Sequence, residues 1–284
     1  MLDFRIKTFL IVCKYMNFTQ AARELHMSQP AVSQHIKYLE DFFETSLFNY
    51  EKRKLTLTPA GKLLLSSATT INQDQTKLLK KIEAIKTQKK HLIFGATLTI
   101  GEYVLPEKLA NYKDSFTLLI QDTKTLLRYL DEGIIDFAFV EGYFPKQDYD
   151  YITWSTQKLV AIQSQDNPIF TNGPYDLLEL VDCPLIIREK GSGTRDTLEH
   201  FLACENTHIE DFNSVIEVGG MEAIKTMVGL GMGITFLYKA AIEKNTNLKI
   251  IPLNRTFEND FSFIFRKGSI YESEYRDFFN QITK

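Results

Sequence analysis

Apolar and polar positions in residues 1–90 follow a helical period that divides into four elements. Residues 2–16 place Ile6, Phe9, Leu10 and Cys13 on one face, which predicts a first helix. Asn17 and Phe18 interrupt the pattern, and Thr19 then stands where an N-cap would open a short second helix, TQAARELH, with Ala22 and Leu25 inward. A tight connection over 26–28 leads to a third helix with Ser28 as its N-cap. Pro30 falls in its first turn, where a missing N–H removes no helical bond. Val32, Ile36, Leu39 and Phe43 form an apolar stripe along this helix, while Pro30, Gln34 and Lys37 project from the opposite side, flanked by Ser33. Thr58 and Pro59 read as N-cap and first residue of a fourth helix reaching about Lys86. On it Leu64, Ile71, Leu78 and Ile85 recur every seven residues, with Ala68, Gln75 and Ile82 in the complementary heptad position. That period favours pairing with a partner helix over packing on its own domain. Residues 87–91 read as a polar hinge.

From His91 the period changes. Short β-rich runs (HLIFGAT, FTLLIQ, IDFAFVEG) alternate with helices near 101–113 and 123–132. A second set follows: CPLIIRE, a helix near 194–205, SVIEVGG, a helix near 221–229, and GITFL, before FSFIFRK and a last helix, YESEYRDFFNQI. Alternation of this kind implies an α/β body with a mainly parallel sheet and helices on both faces.

The third helix has the two faces a recognition helix needs: an apolar back to seat it and a front of short polar and basic groups. The N-terminal end of such a helix enters the major groove. There Gln pairs with adenine, Ser with either base type, and Lys with guanine or phosphate. Periodicity alone leaves an ordinary three-helix bundle open. The ordered run FTQAARELHMSQPAVSQHIKYLE narrows the choice, because it resembles the helix-turn-helix signature of LysR-type transcription regulators, with Ala21, Ala22, Leu25, Ser28 to Ser33, Ile36, Leu39 and Glu40 in register. LFNYEKRKLTLTPAG continues the likeness and is similar to the family's wing, a β-hairpin ending in Leu57-Thr58-x-Ala60-Gly61. The resemblance implies DNA contacts from Thr19, Ser28, Gln29, Pro30, Ser33, Gln34, Lys37 and the wing residue Arg53. One position departs: Tyr50 stands where the family usually has Arg, so Lys52 or Lys54 would have to replace that contact.

The same resemblance implies a fold of three parts. Residues 1–58 would be a winged helix-turn-helix, 59–88 a linker helix pairing two chains through Leu64, Ile71, Leu78 and Ile85, and 91–284 a two-lobed effector domain built like a periplasmic solute-binding protein. Lobe I would take about 91–160 and 266–284, and lobe II about 161–265, with crossing strands near 155–164 and 258–266. Two loops follow strands and open helices at equivalent points: 96–101, with Thr97, Leu98 and Thr99, and 191–195, with Ser192, Gly193 and Thr194. Unpaired N–H groups and the helix dipole favour anions at such places, although plain helix capping explains either loop alone. Together they predict a cleft for a small anion, with Arg188 or Arg195 adding a positive charge. GATLTIGEYVLP and REKGSGTRDTLEHFL look closest to the branch that includes regulators of cysteine and sulfur metabolism and of carbon fixation.

Charge sharpens the division. Residues 1–90 hold 15 Lys and Arg against 8 Asp and Glu, a net of +7, whereas residues 91–284 hold 18 against 28, a net of −10. A basic head on an acidic body suggests that only the head meets a polyanion. Apolar residues make up 44% of the 284, enough for a sizeable core. Three widely spaced cysteines, Cys13, Cys183 and Cys204, argue for buried thiols in a reducing compartment rather than a disulfide framework. The N-terminus lacks a signal-peptide cleavage pattern and no apolar run approaches the roughly 20 residues of a membrane span, so a cytoplasmic location is expected.

Enzyme readings find no support. GLGMGI at 229–234 follows a helix and precedes a strand, the reverse of a dinucleotide fingerprint, and the histidines at 26, 35, 91, 200 and 208 lack zinc spacing. No cofactor or metal is expected. The expected partners are promoter DNA, a small anionic effector, and further copies of the chain as a homodimer or homotetramer. The alternative from another class is a solute-binding receptor of transport, which would share the α/β body and lack the basic head.

Overall fold

A computed structural model describes residues 3–51, 54–87, 91–243 and 246–283. Residues 1–90 form one compact unit with 131–134 and 266–272, and the rest of the chain forms a second.

In the first unit, helix α1 (Phe4–Tyr15) is opened by Asp3, whose carboxylate accepts the Arg5 N–H at 2.7 Å. It ends where Met16 takes a left-handed conformation. Helix α2 (Phe18–Glu24) is capped by Asn17 through Gln20 N–H, not by Thr19, which lies inside the helix and is exposed. An amide side chain one residue before the helix reaches the orphan N–H groups that a residue in the first turn cannot. Helix α3 (Gln29–Phe42) begins at the predicted cap, where Ser28 Oγ accepts the Ala31 N–H at 3.3 Å. Phe9, Val12, Ala21, Ala22, Val32, Ile36, Leu39 and Leu47 close a core between the three helices and the wing. Phe43 does not join it: the residue terminates α3 and is 42% exposed.

The wing is an antiparallel hairpin, β1 (Phe48–Glu51) and β2 (Lys54–Leu57), registered Phe48 to Leu57 and Glu51 to Lys54. Glu40 fixes its entry, its Oε1 accepting Leu47 N–H at 2.8 Å and Phe48 N–H at 3.4 Å. Thr58 fixes its exit, donating to the Ser46 carbonyl at 2.7 Å and accepting Gly61 N–H at 2.9 Å to cap the long helix α4 (Pro59–Thr87).

The heptad positions of α4 divide between two environments. Leu64 packs against the core of the head and Ala68 is buried, so the N-terminal part of the expected seam is used within the chain's own unit. Ile71 and Leu78 are 54% and 47% exposed, and Ile82, Leu63 and Leu79 are exposed beside them. The side chain of Ile85 lies outside the described residues. A different face of α4 is polar and occupied: Thr70 Oγ1 donates to the Lys267 carbonyl at 3.1 Å, and Asp74 accepts Ser269 Oγ–H at 2.7 Å and Ile270 N–H at 3.0 Å. Arg266 donates to the Ser66 carbonyl at 3.0 Å and pairs with Asp131 at 3.1 Å.

The second unit is the mixed α/β body. Its larger sheet contains β3 (His91–Ala96), β4 (Ser115–Ile120), β5 (Ala138–Glu141), β6 (Tyr149–Ser164), β9 (Thr235–Tyr238), β10 (Leu248–Ile251) and β11 (Phe257–Arg266) in the order β10-β6-β11-β5-β3-β4, with β9 also on β6. The remaining strands, β7 (Pro184–Arg188) and β8 (Ser214–Val218), pair in parallel. The β3–β4 and β3–β5 pairs are parallel, and β9 and β10 join β6 antiparallel. The segments expected as crossing strands fall in β6 and β11, and β6 begins earlier than the sequence pattern suggests. Its first residues alternate buried and exposed, so they carry little of the apolar signal that marks the later ones.

Two cores flank this sheet. One gathers Leu126 and Leu130 of α6 (Thr123–Asp131) with Ile135, Val140 and Ile264. The other gathers Ile162 and Ile186 with Met221, Ile224 and Val228 of α8 (Met221–Gly229). The segment after β3 was expected to be one helix near 101–113; it is a π-helical turn, Ile100–Val104, running into the short α5 (Leu105–Leu109). The two remaining helices are α7 (Gly193–Cys204) and α9 (Glu272–Thr283). After α8, Gly231 at φ +78° makes the turn towards β9.

Candidate functional site

In the head, the face of α3 opposite the core leaves Pro30, Gln34 and Lys37 exposed. Gln29 and Ser33, one turn apart, bond to each other, Nε2 donating to Oγ at 2.9 Å. Ser28 is spent on capping. Beside this face lies a groove of about 850 Å³, lined by Ser33, Lys37 and Asp41 of α3 and by Phe48, Asn49 and Tyr50 of the wing. Tyr50 is among the most exposed aromatics, and Lys54 beside it is exposed too. Arg53 and Lys52 lie outside the described residues.

In the body, the two threonine loops converge on one group that the sequence reading did not single out. Glu141 closes β5 and is 1% exposed. Its Oε1 accepts Thr99 Oγ1–H at 3.0 Å and Thr194 Oγ1–H at 2.7 Å, so one hydroxyl from each loop reaches the same oxygen. The close approach of α7 to β5 depends on Gly193: a β-carbon there would stand 2.5 Å from the Glu141 carbonyl oxygen, well inside contact distance. That carbonyl also accepts Thr123 Oγ1–H at 3.3 Å.

Three buried polar atoms near this point make no hydrogen bond of full strength: Thr97 Oγ1, Glu141 Oε2 and Arg188 Nη1. The Thr97 hydroxyl, through a weak hydrogen bond to the carboxyl, and Arg188, through its charge, both favour the charged form of Glu141. Burial outweighs them and the two hydroxyl bonds and raises the Glu141 pKa to about 7. Behind the carboxyl stands Tyr238, whose buried phenol is pushed well up, first by burial and then by the Glu141 charge. Tyr238 belongs to a polar chain: its Oη lies 3.2 Å from Thr197 Oγ1, and Asn259 Nδ2 donates to both at 3.1 Å.

The other predicted loop residues take different places. Leu98 packs against the core around Ile162 and Ile186. Ser192 is buried at the N-cap of α7 and makes no side-chain capping bond. Arg195, expected as a spare positive charge, is engaged: its guanidinium bonds Glu199 at 2.7 Å, Glu217 at 2.5 Å and the Arg188 carbonyl at 3.0 Å. Arg188 forms a two-pronged pair with Glu189 at 2.8 and 2.6 Å and keeps Nη1 unengaged. Sequence offered one signal for Glu141, a carboxylate ending the otherwise apolar run FAFVE. Nothing local indicated that its partners would come from 42 and 53 residues away.

Among the described residues no three His, Cys, Asp or Glu side chains gather as a metal site, and no helix is long and apolar enough to cross a membrane. Comparison with known proteins matches both units. Residues 5–62 match the family described as bacterial regulatory helix-turn-helix protein, lysR family, and residues 86–284 match the LysR substrate binding domain. A transcriptional regulator of Methanocaldococcus jannaschii is 32% identical over 258 residues, 87% of this chain and 86% of its own length. A probable RuBisCO transcriptional regulator of Trieres chinensis is 30% identical over 84% of this chain and 80% of its own, which agrees with the carbon-fixation branch read from the sequence. The regulatory domain of CcmR from Synechocystis, solved in complex with 2-PG, shares the fold at a TM-score of 0.60 and 20% identity, covering 68% of this chain and 95% of that one. The helix-turn-helix match decides against a transport receptor, and the relatives are regulators rather than enzymes. A winged head with an effector-binding body, matched over nearly the whole chain, makes this protein a member of the LysR family of DNA-binding transcription regulators.

Proposed function

We propose that this regulator responds to a small anionic metabolite or inorganic anion bound at the Thr97, Thr99, Ser192 and Thr194 loops of residues 91–284. The observation that carries the reading is a pair of buried donors beside Glu141, Arg188 Nη1 without a partner and Thr97 Oγ1 held only by a weak bond to the carboxyl. A buried donor without an acceptor costs about 1–3 kcal/mol, and an oxyanion there would satisfy both. The 2-PG bound by the CcmR regulatory domain supports a small metabolite as the class of effector. Calorimetric titration with sulfate at pH 6 tests the site. The intact protein should bind, and Arg188→Met and Thr97→Val should each weaken binding about tenfold; equal affinity in all three would remove the anion from this position.

Residues 1–58 read a promoter operator, with Gln34 at base edges and Lys37 and Arg53 on phosphates. Gln29 and Ser33 act as a bonded pair at the same surface, joined by Thr19, Ser28 and Pro30 where the helices meet the backbone. Residues 59–88 pair two chains through Ile71, Leu78 and Ile85, with Leu64 marking the end of the seam that turns into the head, giving a homodimer or homotetramer. Two-fold pairing would present two recognition helices at a spacing of roughly 34 Å or a multiple of it. The effector can act only through different affinities for the two arrangements of the chain. The protein works where its DNA is, in the cytoplasm.

A further inference from the structure

Resting on the anion site just proposed, we infer that the effector anion enters together with one proton, which is carried by the Glu141 side chain. The geometry leads there. A fully buried carboxyl already occupies the meeting point of the two loops, and its Oε1 takes up the Thr99 and Thr194 hydroxyls. Those donors therefore serve an internal carboxylate first. What remains is one donor without a partner, Arg188 Nη1, the Thr97 hydroxyl held only weakly by the carboxyl, and the acceptor Glu141 Oε2. Ionised, Glu141 would set a second negative charge against the incoming anion in a fully buried place, where screening is weak. Protonated, the same Oε2 becomes a third donor beside the other two, and a mixed, self-opposing cluster becomes one that suits an oxyanion.

The surroundings place this titration on Glu141 alone. Among the described residues, the groups that face it from neighbouring elements are hydroxyls, from Thr97 after β3, Thr99 just before the π-helical turn and Thr194 on α7. The two titratable or charged exceptions are Arg188 at the end of β7 and Tyr238 at the end of β9. Arg188 acts on the carboxyl as a positive charge, and the pH range that matters is the physiological one. The Tyr238 phenol is pushed well above that range. The Glu141 carboxyl, held near 7, changes state within it.

Sulfate tests the inference, because it does not itself titrate between pH 6 and 8. Calorimetry on the full chain should give a Kd about tenfold weaker at pH 8 than at pH 6. At pH 7.5, comparing buffers of different ionisation enthalpy should reveal net proton uptake on binding. Glu141→Gln keeps an acceptor for Thr99 and Thr194 and holds an N–H donor where the proton would sit. It should bind sulfate at pH 8 about as well as the unaltered protein does at pH 6, with no pH dependence and no proton uptake. The buffer comparison needs no variant, so it decides the matter even where the substitution lowers the yield of folded protein. Sulfate binding that is independent of pH and releases or takes up no proton overturns the proton linkage while leaving the anion site intact. Absence of sulfate binding to both proteins at every pH overturns the anion site and the linkage with it.

Discussion

Replacing Glu141 with Gln should stabilise the protein at alkaline pH and do progressively less as pH falls. Glu141 is fully buried and its pKa is raised from 4.5 to about 7, with burial the dominant cause. The folded chain therefore holds this proton more tightly than the unfolded chain. Below pH 4.5 both states are protonated and the group is neutral in its effect. As pH rises the unfolded state deprotonates first, and stability is lost until the folded carboxyl also ionises near pH 7; above that the loss is constant. Each unit of difference is worth about 1.4 kcal/mol, so the full loss is about 3 kcal/mol. Gln accepts from Thr99 and Thr194 as the carboxyl does and cannot ionise.

The stability gap between Glu141→Gln and the unaltered chain should consequently widen by about 2–3 kcal/mol from pH 5 to pH 8. That corresponds to roughly 5–10 °C in Tm for a unit of this size. Guanidinium unfolding followed by tryptophan fluorescence measures it selectively. Trp154 is the single tryptophan, and its ring lies 5.2 Å from that of Phe139, two residues before Glu141 on β5. Parallel stability profiles for the two proteins across this pH range would refute the reasoning, since they would show that Glu141 titrates alike in the folded and unfolded chain.

Two further outcomes are expected of the head and the linker. Gln34→Ala should weaken binding to the specific operator by about 1–3 kcal/mol while changing affinity for random DNA little, as read by fluorescence anisotropy; equal losses on both would reduce Gln34 to a positioning contact. Leu78→Asp places a charge on the exposed stripe of α4 and should dissociate the smallest stable assembly in sedimentation velocity, whereas an unchanged dimer would move the pairing surface elsewhere.

Elements whose signal is local were legible in the sequence. Ser28 and Thr58 announce α3 and α4 because capping is decided within three residues, and both caps form as read. Val32, Ile36 and Leu39 announce a buried face because helical period alone puts them together. Reading stopped where geometry or distance intervened. Asn17 and Thr19 are both good caps, and only the backbone at the break after Met16 selects Asn17. Seven-residue spacing marked Leu64 and Ile71 as equivalent, but the head covers the first and leaves the second exposed. The two threonine loops were visible as helix openings, yet the group they converge on was not. Glu141 acquires its meaning only when β3, β5 and α7 are brought together.

The charge balance of the chain makes that buried carboxyl more consequential. Residues 91–284 carry a net charge of −10, so the body gives an approaching anion no long-range attraction. Exposed charges are screened beyond about 8–10 Å at physiological salt, so the surface excess decides the rate of encounter more than the depth of binding. Depth is set by groups within a few ångströms. There a unit charge at 4 Å is worth about 4 kcal/mol at the effective dielectric of a protein, comparable to one or two charge-assisted hydrogen bonds. Arg195 is neutralised by Glu199 and Glu217, and Arg188 is shared with Glu189. One ionised Glu141 is therefore enough to cancel most of what Thr97 and Arg188 can offer, and one proton restores it. On the reading proposed above, the discrimination between empty and occupied states rests on the protonation of this one side chain, which lies too close to the anion for salt to screen it.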